Sequence, residues 1–242
     1  MPTNGYPNVR TAVVTGASAG IGEATARTLA ARGFHVILGA RRSDRCQAIA
    51  EEIGGTAIEL DITSDQSVLD FAGQIGEVSV LVNNVGGARG MSTVLKADIA
   101  DWRWMWETNV LGTLRLTRAL IPALVASGRG VVVTLTSTAA LEIYPDGGGY
   151  TSAKHSERAL HHMLEAELAG APIRFTEVSP GAVETGFSQR RFDGAAGGYQ
   201  GLTEQDIADV IAFAADGPEN ISLERIVVRP RAQADSTHVH WD

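Results

Sequence analysis

The chain has 242 residues, 44% of them hydrophobic, and 20 basic against 28 acidic side chains give a formal net charge of −8. That length and apolar content suit one domain, residues 1–242, with a large core, and an acidic balance without a long basic run argues against nucleic acid as a partner. A lone cysteine, Cys46, excludes an intrachain disulfide, and no apolar run approaches the ~20 residues needed to cross a bilayer, so the expectation is a cytoplasmic protein with no membrane partner. The polar segment Met1 to Arg10 does not read as a signal peptide.

Apolar runs of strand length then alternate with helical patterns. Strands are predicted at Thr11–Thr15, Phe34–Leu38, Thr56–Leu60, Val78–Val82, Gly130–Thr136, Ile173–Val178 and Arg225–Val228. Helices are predicted near Ile21–Arg32, Asp44–Ile53, Asp65–Ile75, Ala100–Ser127, Tyr150–Ala169 and Glu204–Ala215. This alternation implies an α/β fold: a single-domain, Rossmann-like, doubly wound parallel sheet of about seven strands flanked by helices. Ligands then bind outside the carboxyl ends of the strands. Gly16, Asp61, Asn83, Ser137 and Pro180 each closely follow or end a predicted strand.

Two clusters carry chemistry. The first strand runs into Gly16, Ser18, Gly20, Ile21 and Gly22, spaced GxxxGxG rather than GxGxxG, and a helix follows. Glycines there let the backbone approach a pyrophosphate that the helix N-terminus attracts. The second cluster is Tyr150 and Lys154, four apart and so one turn apart on one helix face, with Ser137 upstream. A phenol is a poor acid at neutral pH, and a neighbouring ammonium favours the phenolate, which lets Tyr150 exchange a proton during a reaction.

Together these features resemble the short-chain dehydrogenase/reductase family over nearly the whole chain. The matches run in order: the Thr15–Gly22 glycine loop; Asp61, with Ile62 beside it, for the acid that contacts adenine; and Asn83-Asn84-Val85-Gly86, with Val85 where the family has Ala. Asn109, Ser137, Tyr150 and Lys154 fall in the order of the catalytic tetrad. Pro180, Gly181, Val183 and Thr185 match the segment beside the nicotinamide. The resemblance implies that Lys154 holds the nicotinamide ribose and that Ser137 holds the substrate oxygen. It further implies that Asn109 distorts its helix and binds a water connected to Lys154, and that the product is a homodimer or homotetramer.

Cofactor choice turns on the end of the second strand. NAD-preferring enzymes place an acid there, whereas this chain has Ala40 followed by Arg41 and Arg42. A guanidinium pairs with a 2′-phosphate, so NADP(H) is expected, with Arg41 as the principal contact and Arg42 beside it.

The expected activity is hydride transfer between the nicotinamide and a secondary alcohol or carbonyl. The Phe187–Gly194 stretch, with Leu202–Asp206, resembles the branch acting on small 3-hydroxy acids such as serine. Glu142 and Tyr144 follow Ser137 closely enough to line the substrate pocket, and Arg191 falls in a glycine-rich lid near 184–201, where it would grip a carboxylate. The alternatives are a reductase of a bulkier ketone or acyl thioester and, in another class, a non-catalytic nucleotide-binding regulator. His161 and His162 are adjacent on a helix, so their side chains are expected to diverge, and no metal site is expected. Trp104 is expected on a helix face buried between subunits.

Overall fold

The computed structural model describes residues 10–185, 201–231 and 233. Seven parallel strands form one sheet: β1 (Thr11–Thr15), β2 (His35–Ala40), β3 (Thr56–Glu59), β4 (Val80–Asn83), β5 (Gly130–Leu135), β6 (Ile173–Pro180) and β7 (Arg225–Val228). Their order is β3-β2-β1-β4-β5-β6-β7, so the chain winds outward from β1 and then returns to lay β4 on the other side of it. That reversal opens a crevice at the carboxyl ends of β1 and β4.

Among the described residues, seven helices flank the sheet: α1 (Gly20–Ala31), α2 (Ser43–Ile53), α3 (Asp65–Gly73), α4 (Ile99–Trp106), α5 (Gly112–Ala126), α6 (Gly148–Glu167) and α7 (Glu204–Ala215). The strands bury both faces, and their alternation decides which helix layer each residue meets. Val14, Leu38, Val82 and Val133 pack with Leu29, Ile49 and Ile211 of α1, α2 and α7. Val13, Ile37, Leu81 and Val132 pack on the other face with Phe71, Leu116 and Leu120 of α3 and α5. Local signals start several helices: Ser64 caps α3, Asp98 caps α4, and Thr203 forms a reciprocal capping box with Asp206 on α7.

The predicted helix Ala100–Ser127 is interrupted. A π turn spans Glu107–Leu111 between α4 and α5, centred on Asn109. The Asn109 Nδ2 donates to the Met105 carbonyl at 2.7 Å and to the Gly87 carbonyl at 3.0 Å, while its Oδ1 accepts from the Gly87 amide at 3.1 Å. The side chain takes a carbonyl four residues back, and the backbone ladder slips by one residue. β2 and β6 run two residues past their predicted ends, because β3 and β7 supply pairing partners for Gly39, Ala40, Ser179 and Pro180. Among the described residues, no helix is long and apolar enough to cross a membrane.

Candidate active site

A cavity of about 1080 Å³ lies at the carboxyl ends of the strands. At one side Gly16 and Gly20 turn the chain with φ of +65° and +64°, a conformation that a side chain would strain. Gly22 sits where a Cβ would run into the Gly16 carbonyl oxygen. It is therefore a packing glycine and does not line the cavity, whereas Gly16, Ser18, Gly20 and Ile21 do. The N-cap of α1 is Ala19, whose methyl group cannot accept from the first-turn amides, so they face the cavity rim without a side-chain partner.

The rim beyond β2 is basic. Arg42 Nη2 and Nε donate to Ser18 Oγ at 2.9 and 3.2 Å, which draws the guanidinium over the glycine loop, and Arg41 lines the cavity beside it. Asp61 and Ile62 form the adjoining wall. Hydrogen bonds from the Thr63 hydroxyl and amide hold the Asp61 carboxyl below its usual range despite partial burial, and Arg41 adds to the effect.

The Asn83 expectation needs correction. Asn83 shares the α5 side of β4 with Leu81, is buried, and donates to Thr117 Oγ1 at 2.9 Å. The residue that lines the cavity is its neighbour Asn84, whose Nδ2 donates to the Thr15 carbonyl at 2.8 Å. Thr15 Oγ1 accepts from the Asn84 and Val85 amides, which clamps the end of β4 to the end of β1. Val85 lines the cavity and also packs on the core face with α3 and α5, so the added bulk is partly housed in the core.

Deeper in the cavity, Ser137, Tyr150 and Lys154 lie on one wall. Ser137 Oγ caps a short 3-10 turn by accepting from the Ala139 amide at 3.1 Å. Tyr150 is 6% and Lys154 4% exposed, and the ammonium is 6.0 Å from the centre of the phenol ring. Gly86 makes room for the group, since a Cβ there would come 2.8 Å from Asn109 Oδ1 and 3.2 Å from Lys154 Nζ. Asn109 itself is fully buried behind this wall and does not line the cavity. Burial alone would lower the Lys154 ammonium, but the Glu157 carboxylate and the Tyr150 phenol more than offset it, and Lys154 is held above its ordinary range.

Pro180, Gly181, Val183 and Thr185 form the wall at the end of β6. Tyr144 also lines the cavity. Glu142 does not: it is paired with Arg229, which follows β7. Arg191 lies outside the described residues, as does the lid segment apart from its ends. Those ends are joined, with the Glu184 amide donating to the Leu202 carbonyl at 2.7 Å and the Gly201 amide to Glu184 Oε1 at 2.8 Å.

Among the lining residues not assigned to the site from the sequence are Asn84, Trp104, Glu204 and Gln233. Trp104 fills the space that Gly87 leaves, and Arg89 stacks 3.9 Å above its ring, which places it in the cavity wall. Glu204 reaches Gly20, and burial, reinforced by Glu23, raises its carboxyl. Gln233 Oε1 accepts from the Ala182 amide at 2.9 Å. Each depends on a contact distant in sequence, with local traces for Asn84 in the Asn83–Gly86 match and for Glu204 in the Thr203–Asp206 capping signal.

The histidine pair also differs from expectation. His161 and His162 do not diverge, because their rings meet edge to face at 5.2 Å, and with Glu165 they bring donor atoms within 4.8 Å of one another. His162 is engaged by Glu165 and Glu177, and Arg225 Nη2 lies 3.2 Å from its Nε2, a position that opposes a cation. Burial pushes His161 down to about 4, and its Nδ1 pairs with Thr134 Oγ1 at 2.9 Å.

The short chain dehydrogenase family model matches residues 10–196. The chain belongs to the short-chain dehydrogenase family. An uncharacterised oxidoreductase of Mycobacterium tuberculosis is 57% identical to this short-chain dehydrogenase, with 94% of each chain covered. An NADP-dependent 3-hydroxy acid dehydrogenase of Salmonella typhimurium is 33% identical, covering 92% of this chain and 95% of the relative. Among solved structures, a closed form of serine dehydrogenase complexed with NADP+ superposes with a TM-score of 0.87 at 30% identity, over 96% of this chain and all of the other. Membership makes this short-chain dehydrogenase an oxidoreductase.

Proposed function

We propose that this oxidoreductase interconverts a secondary alcohol and its carbonyl with NADP(H), and that its substrates are small 3-hydroxy acids. The observation that carries the reading is the buried Tyr150–Lys154 pair beside Ser137, in a cavity whose far rim carries Arg42 over Ser18. A regulator that only bound nucleotide would have no use for that pair. The 3-hydroxy acid class draws on the relatives described as 3-hydroxy acid and serine dehydrogenases.

The residues fit a dinucleotide. The α1 amides would hold its pyrophosphate, Arg42 and Arg41 its 2′-phosphate, Asp61 and Ile62 its adenine, and the Pro180–Thr185 wall its nicotinamide. When bound, the nicotinamide takes or supplies the hydride. The chain's own work is placement and proton transfer. In the reducing direction the Ser137 hydroxyl donates to the carbonyl oxygen and holds it at the wall, and the Tyr150 hydroxyl delivers a proton to that oxygen. Lys154 keeps positive charge beside the phenol as it loses the proton, and its ammonium would also hold a ribose hydroxyl.

The test is turnover of a panel of 3-hydroxy acids and uncharged secondary alcohols with NADP⁺ and NAD⁺. Faster oxidation of 3-hydroxy acids with NADP⁺ is expected, and better use of NAD⁺ or of uncharged alcohols would overturn the corresponding half of the reading. Arg42→Asp should weaken NADPH binding more than NADH binding by about one to two decades, the cost of a lost charge-assisted hydrogen bond. Arg41→Asp in parallel, followed by fluorescence titration, decides which arginine contributes more.

A further inference from the structure

Beneath Lys154 lies a carboxylate that the proton step described above does not use. Glu157, one turn farther along α6, is fully buried. Its Oε2 accepts from Lys154 Nζ at 2.6 Å, and its Oε1 accepts from Thr113 Oγ1 of α5 at 3.3 Å. The ammonium also donates to the Leu135 carbonyl at the end of β5, at 3.1 Å. An apolar side chain could fill this space without desolvating a charge, so the carboxylate is not there for packing alone. Burial pushes the Glu157 carboxyl up, which makes its charge dependent on the ammonium it touches.

We propose that Glu157 is a positioning residue for the proton step: it anchors the Lys154 ammonium at the base of the cavity and partly neutralises the field that reaches the Tyr150 hydroxyl. This rests on the reading that Tyr150 and Lys154 carry that step. Glu157 thereby sets the alkaline limit of turnover. The other groups facing it do not change charge there. Glu177 on β6 is held ionised by Arg225, with His162 and Arg158 against the same oxygen, and His161, one turn along α6, is neutral and bonded to Thr134. Thr113 from α5 and the Leu135 carbonyl from β5 carry no titrating proton.

Glu157→Gln keeps the shape and removes the charge. Burial then favours the neutral amine at Lys154, and while the ammonium survives its unopposed field favours the phenolate. Both effects move the alkaline limb of the kcat–pH profile for carbonyl reduction to lower pH, by about one unit or more. A merely structural Glu157 would instead lower kcat or Tm without moving the limb, and an unmoved limb in the folded variant overturns the proposal. Tyr150→Phe separates the two levels. If it still turns over, the proton-step reading fails; if it is inactive while the Glu157→Gln limb stays put, the Glu157 role alone fails.

Should Glu157→Gln not fold, melting of Lys154→Met decides. Without the ammonium, the folded chain holds Glu157 protonated, with its folded value above the unfolded one. Stability is then present at low pH and lost as pH rises through the folded value. The Tm of Lys154→Met should therefore fall relative to wild type as pH rises above the ordinary carboxylate range. Parallel pH profiles for the two proteins would overturn the pairing on which the proposal stands.

Discussion

Tyr150→Phe should lower kcat by about 10²–10⁴-fold, the usual contribution of a positioned general acid. The ring is retained, and it is the ring that packs with Met105, Val110, Ala139 and Ala153 in the cluster between α4, α6 and the turn after β5. NADPH affinity should stay close to wild type, because the glycine loop and the arginines at the far rim are untouched. The loss should therefore fall on kcat and kcat/KM together, as for an interaction made only in the transition state. Stopped-flow single turnover with NADPH and a carbonyl substrate separates chemistry from binding. A kcat near wild type would remove Tyr150 from the mechanism.

Glu177→Gln should destabilise the fold by about 3 kcal/mol, the lower end of what breaking a buried ion pair costs. Glu177 on β6 is fully buried, and its two oxygens are shared out completely. Oε1 accepts from Thr136 Oγ1 at 2.9 Å and Ser179 Oγ at 3.0 Å, and Oε2 accepts from Arg225 Nε at 2.8 Å with His162 Nε2 at 3.1 Å. A carboxamide cannot serve four such neighbours, because its nitrogen meets donors where the carboxylate oxygen accepted. Arg225 and His162 are about one-third exposed and regain water, which keeps the cost from being larger. For a domain of this length, about 3 kcal/mol corresponds to a fall in Tm of about 6–12 °C.

The same residue carries a pH signature. Burial would raise its carboxyl, but the donors from Arg225, Thr136 and Ser179 hold it below the ordinary carboxylate range. A depressed folded value contributes stability that is present above the unfolded value, near ~4.3 for a glutamate, and is lost as pH falls through the folded one. The Tm difference between wild type and Glu177→Gln should thus be full at neutral pH and narrow in acid. Calorimetric scans across that range check it, and a difference independent of pH would mean that shape rather than charge sets the cost.

What could be read from the sequence is what depends on neighbours in the chain. β-branched runs alternating with helical periods implied the parallel sheet, and positive φ at Gly16 and Gly20 is what a strand-to-helix turn at a phosphate site demands. The i, i+4 spacing of Tyr150 and Lys154 was enough to put them on one face. Tertiary structure alone decided the rest. Which of Asn83 and Asn84 faces the cavity followed from the pleat of β4, because Asn83 shares the Leu81 side and meets Thr117 on α5. The break that the resemblance implied at Asn109 takes its partner from Gly87, 22 positions away; Glu142 was claimed by Arg229, 87 away; and Gln233 reached Ala182, 51 away. Glu157 reads locally as one more polar residue on a helix, yet packing α6 against α5 and the end of β5 encloses it with Lys154 and removes its water. Periodicity tells which side of an element a residue occupies. Only the register between elements tells what waits on that side, and for a buried polar group that partner determines whether it can keep its charge.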